Sequence, residues 1–70
     1  MNTSTLRELI KALGLSQEQA AHVLGVHPVT MRRWATGKIN IPPPASRFLL
    51  FLLYEEIDPQ DVMRALGDLH

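Results

Sequence analysis

The residues best suited to chemistry in this chain are Arg32 and Arg33, with Pro28 and Val29 just before them. A segment beginning near His27 or Pro28 and ending at Gly37 reads as a short helix. At about 100° per residue, positions 29, 32 and 33 of such a helix share one side. Two adjacent guanidinium groups on an outer helix face match the edge of a guanine, because an arginine fork donates two hydrogen bonds to O6 and N7, and a valine can touch a thymine methyl. A solvated basic pair is the plain alternative. The choice depends on whether the surrounding chain holds these side chains rigidly outward.

Residues 15 to 38, LSQEQAAHVLGVHPVTMRRWATGK, read as two short helices joined by a tight turn. Ser16 can accept from backbone N–H groups that no helical carbonyl reaches, and Gln19 completes a Ser-x-x-Gln capping box. Leu15 and Ala20 form a small apolar staple. Ala20, Ala21, Val23 and Leu24 give one apolar stripe. Gly25 sits where a left-handed residue closes the helix. Pro28 suits a first helical position, since its missing N–H would have had no partner. Met31 and Trp34, three apart, face inward together and leave Pro28, Val29, Arg32 and Arg33 outside.

Ser-Gln-x-x-x-Ala-x-x-x-Gly-Val followed by Met-Arg-Arg-Trp-x-x-Gly-Lys resembles the helix-turn-helix of the lambda-repressor-like regulators (the Cro/C1, xenobiotic-response-element type). The specific part of the resemblance covers residues 16 to 38, and flanking helices extend it over roughly residues 5 to 57. It implies an all-α, five-helix DNA-binding domain with the helix-turn-helix at helices two and three. It implies base reading by Pro28, Val29, Arg32 and Arg33. Gln17, His27, Thr30, Lys38, Asn40 and Arg47 then fall to the DNA backbone. Two positions depart from the pattern: the family often has Ser, Thr or Gln where His27 and Pro28 stand, and Pro28 offers no side-chain donor.

Seventy residues make one domain. A chain this short buries a modest share of its surface and gains from a partner. It has no cysteine, which excludes a disulfide framework and fits a reducing cytoplasm. The N-terminus MNTSTLRELI shows no secretory pattern. The longest apolar run, Phe48 to Tyr54, falls far short of the roughly 20 residues a membrane span takes.

The formal net charge is zero, but its distribution is uneven. Residues 1–47 hold Arg7, Lys11, Arg32, Arg33, Lys38 and Arg47 against Glu8 and Glu18, a net of +4. Residues 48–70 hold Arg64 against Glu55, Glu56, Asp58, Asp61 and Asp68, a net of −4. Such segregation is expected when one face meets phosphate and the other does not.

Around the central pair, Thr5 and Glu8 suggest a capping box for a first helix, with residues 1–4 frayed. Leu6, Leu9, Ile10 and Leu13 are its stripe, and Arg7 and Lys11 lie on its polar face, where ordinary solvation is the first reading and a phosphate contact the second. The segment KINIPPP reads as a stiff, extended connector in which Ile39 or Ile41 plugs the core. A fourth helix runs from about Ala45 to Ile57. Its apolar residues occupy two arcs, Phe48, Leu49, Leu52 and Leu53 on one and Leu50, Phe51, Tyr54 and Ile57 on the other. One arc closes the core, and the other meets helix five, a second subunit, or both. Asp58-Pro59 starts a fifth helix with stripe Val62, Met63, Leu66 and Leu69, frayed near Gly67. The expected layout is a single domain over 1–70, with a core over 5–57 and a dimerisation helix over 58–70. Leu50, Phe51, Tyr54, Ile57, Met63 and Leu66 are the candidate dimer interface.

No catalytic constellation is visible. Glu55, Glu56, Asp58 and Asp61 face no His or Cys, His22 and His27 lack a third ligand at metal-site spacing, and no Gly-rich phosphate loop exists. Neither cofactor nor metal is expected. The reading is therefore a cytoplasmic, nucleoid-associated repressor rather than an enzyme, binding an inverted repeat of double-stranded DNA as a homodimer. The resemblance places it among regulators of small operons of the phage, antitoxin or anti-CRISPR-associated type. Two rivals stay open: an antitoxin whose apolar C-terminal half masks a toxin, and a DNA-bending factor with little sequence preference.

Overall fold

A computed structural model describes residues 1–68. Within them the chain forms five helices and no strand: α1 (Thr3–Ala12), α2 (Gln17–Leu24), α3 (Pro28–Ala35), α4 (Pro43–Tyr54) and α5 (Pro59–Asp68). The all-α, five-helix fold expected from the sequence is the one found. Leu69, the last residue of the expected α5 stripe, lies outside the described residues.

Helix α1 starts three residues earlier than the Thr5–Glu8 pattern suggests. Asn2 is its N-cap, and Asn2 Oδ1 accepts the Thr5 N–H at 2.7 Å. Asparagine caps as well as threonine does, so Thr3 and Ser4 are helical rather than frayed. At α2 the Ser16 capping box is complete: the Gln19 N–H donates to Ser16 Oγ at 3.1 Å, and the Ser16 N–H donates to Gln19 Oε1 at 2.9 Å. Gly25, at φ 72°, closes α2 in the left-handed region, and the Val26 N–H reaches back to the Ala21 carbonyl at 3.0 Å.

The three prolines also behave differently from expectation. Pro42 is the N-cap of α4, and Pro43 and Pro44 are its first two helical residues. The first N–H groups of any helix lack carbonyl partners, so proline costs no hydrogen bond there. The extended connector is thus shorter than KINIPPP, and α4 stops at Tyr54 rather than Ile57. The Asp58 carboxylate accepts the Gln60 N–H at 2.9 Å at the start of α5, which continues through Gly67 to Asp68.

The core is built from Leu6, Leu9 and Ile10 of α1, Leu15, Ala20, Ala21 and Val23 around α2, Met31 and Trp34 of α3, Ile41, and Leu49 and Leu52 of α4. Ile41 is the isoleucine that plugs the core, while Ile39 is exposed. Helix α1 packs on α3 and α4, α2 packs on α3, and α5 packs on α2. That last pairing redraws the expected arcs of α4. Only Leu49 and Leu52 are buried there, Phe48 and Leu53 are exposed on either side of them, and Leu50 is half-buried against the core. Because α5 lies against α2, Phe51 and Tyr54 are left 53% and 79% exposed.

Candidate nucleic-acid interface

Helices α2 and α3 are the most closely associated pair in the molecule, joined by Gly25, Val26 and His27. The orientation of α3 follows from what it buries. Met31 and Ala35 are fully buried and Trp34 is 7% exposed. Removing a side chain of Met31's size from such a site costs about 2–5 kcal/mol, comparable with the whole stability of a domain this small. The helix therefore cannot roll about its axis without giving up its core contacts. Pro28, Val29, Arg32 and Arg33 consequently face solvent.

Both ends of α3 are fixed by hydrogen bonds. At its start, the Val29 N–H donates to Nδ1 of His27 at 3.1 Å. Acceptance at Nδ1 places the neutral imidazole proton on Nε2, and the ring is exposed, so Nε2–H remains a donor. At its end, Thr36 Oγ1 donates to the Arg32 carbonyl at 2.9 Å. The Lys38 N–H reaches the Arg33 carbonyl at 3.0 Å, which brings the chain back against the end of the helix.

The residues read as backbone contacts are spread around this helix. Gln17 is the first residue of α2 and exposed. Thr30 is half-buried. Lys38 is exposed directly after α3, and Asn40 shares a small groove with Asn2, Thr3, Trp34 and Gly37. Arg47 is exposed on α4, two residues before the buried Leu49 and so on the outer side. Among the described residues the ion pair is Arg64–Asp61 at 3.1 Å, on the exposed side of α5. The cations of residues 1–47 thus keep their charge unpaired by any carboxylate of the described chain.

One contact escaped the sequence reading. Arg7 donates from Nε to the carbonyl of Ala35 at 2.9 Å and so ties α1 to the last residue of α3, a contact that neither solvation nor phosphate binding implies. Its signal was its place: it sits three residues before the buried Ile10, at the edge of the α1 stripe, where a long side chain lies along the core before its head emerges.

Among the described residues, no three His, Cys, Asp or Glu side chains are grouped as a metal site would need. No helix among them is long and apolar enough to cross a membrane.

A helix-turn-helix family model matches residues 6–46, more than half of the chain, from within α1 through α2 and α3 into the start of α4. No curated protein and no solved structure matches.

Proposed function

Since the chain belongs to the lambda-repressor-like helix-turn-helix family of DNA-binding transcription regulators, we propose that it is a sequence-specific repressor that binds an inverted-repeat operator as a homodimer. The observation that carries this reading is the outer face of α3. Val29, Arg32 and Arg33 are exposed on a helix whose other face, Met31, Trp34 and Ala35, is buried. Arg32 and Arg33 read guanines in the major groove, Val29 meets a thymine methyl, and Pro28 packs on the groove edge. Gln17, His27 through Nε2, Thr30, Lys38, Asn40 and Arg47 seat the protein on phosphates and set its register.

The dimer contact falls on α4. Phe48, Phe51 and Tyr54, three apart, make a continuous exposed strip that a 70-residue chain gains by covering. Leu50, Ile57, Met63 and Leu66 are half-buried within the subunit and contribute less. Two-fold pairing sets the two α3 helices about 34 Å apart, in successive major grooves. Bound at a promoter, such a dimer excludes polymerase, and autorepression of a small operon is the simplest circuit.

The experiment is a mobility shift on the duplex upstream of the chain's own gene. A specific complex that bulk genomic duplex displaces poorly is expected. Displacement equal to that from any other duplex would contradict sequence-specific autorepression. The same strip of Phe48, Phe51 and Tyr54 also supports a second reading, an antitoxin whose α4 masks a partner toxin. Co-purification of a stable complex with a neighbour-encoded protein would favour it over the homodimer.

A further inference from the structure

Arg7 and Lys11 stand one turn apart on α1 and line a groove of about 650 Å³ with Ile10, Gly14, Leu15 and Gln17. We propose that this groove is a second seat for the DNA backbone. Arg7 and Lys11 each meet a phosphate beside the one Gln17 takes, and Arg7 links that seating to the orientation of α3. The proposal rests on the DNA-binding reading above and deepens it.

The bond to Ala35 uses one of the five donors of Arg7 and holds the guanidinium at the end of α3. No hydrogen bond within the described chain engages the Nη groups. A held, planar fork with free donors suits the paired oxygens of a phosphate better than a loose cation does. Like charges at i, i+4 work against a helix, and neither Arg7 nor Lys11 is paired with a carboxylate among the described residues. A polyanion in the groove would turn that repulsion into attraction.

The first turn of α2 is sorted in the same sense. Gln17 lines the groove of the two cations, whereas Glu18 lines a different one with Ser16, Gln19, His22 and Met63. The acid of that turn is thus directed away from the seat. Ser16 accepts the N–H groups of Gln19 and Ala20, which leaves those of Gln17 and Glu18 available at the positive end of the helix. Because Ala35 ends α3, a phosphate drawing on Arg7 also bears on the recognition helix.

The test is fluorescence anisotropy of the full chain across a salt series. The probes are the tightest duplex recovered from a random pool and an unrelated duplex, and each variant is also melted. Lys11→Gln and Arg7→Ala should each flatten the slope of log affinity against log salt by about one unit on both duplexes. Arg7→Lys keeps the charge and therefore the slope. An ammonium lacks the rigid fork that meets Ala35 and a phosphate from separate nitrogens, so the ratio of specific to non-specific affinity should fall several-fold. The Lys11 side chain makes no hydrogen bond or ion pair among the described residues, so Lys11→Gln reports on the seat even if the Arg7 variants melt early. A wild-type slope in Lys11→Gln would overturn the seat, and an unchanged ratio in folded Arg7→Lys would overturn the link to α3. Wild-type protein that bound no duplex at low salt would instead remove the DNA reading itself.

Discussion

The backbone N–H of Ile57 donates to the carbonyl of Leu52 at 3.0 Å, reaching back over Glu56, whose φ is +52°. With the Glu56 N–H on the Leu53 carbonyl at 3.2 Å, this is the same closure that Gly25 gives α2, here carried by a side chain in the left-handed region. It ends α4 at Tyr54 and turns the chain toward α5.

Glu56→Gly should therefore stabilise the protein. Relief of left-handed strain contributes about 1–2 kcal/mol, and the extra freedom of the unfolded chain takes back about 0.5–1 kcal/mol. A net gain of roughly 0.5–1 kcal/mol corresponds to a rise in Tm of a few degrees in a domain of this size. A melt showing a lower Tm would mean that the Glu56 side chain makes a contact worth more than the strain.

Arg33→Ala should lose about 1–3 kcal/mol on the preferred duplex and relax the base preference at one position of each half-site. Competition with single-base variants of that duplex measures it. Equal losses on every sequence would make Arg33 a phosphate contact.

Lys38→Ala should weaken binding to all sequences alike and flatten the salt slope by about one unit. Lys38 is exposed directly after α3, so its removal disturbs no packing. A slope identical to wild type would take Lys38 out of the backbone set.

Phe51→Glu should give monomers. Phe51 is 53% exposed in the isolated subunit, so the change costs the fold little, while a carboxylate opposed to its own symmetry mate repels. Sedimentation showing an intact dimer would remove Phe51 from the interface.

The elements that position α3 were readable because each leaves a local mark. Ser16 with Gln19, Gly25, Pro28 and the Met31–Trp34 pair act within one turn of the chain, and all stand where their chemistry puts them. The misplaced boundaries have local alternatives of nearly equal worth. Asn2 competes with Thr5 as a cap, and prolines fit a first turn as well as a connector. What the sequence hid is tertiary. The Arg7–Ala35 bond spans 28 residues, and the docking of α5 on α2 decides which residues of α4 stay bare. Amphipathic periodicity shows that a helix has an inner face without showing which helix covers it.

Selection of bound sequences from a random duplex pool by the full chain, read by sequencing, addresses sequence reading and two-fold pairing at once. The expected outcome is an enriched inverted repeat whose half-site centres lie about one helical turn apart, with guanines at positions that lose their preference in Arg32→Ala or Arg33→Ala. Recovery of unenriched sequence, or of a motif unchanged by both substitutions, would contradict base reading by α3.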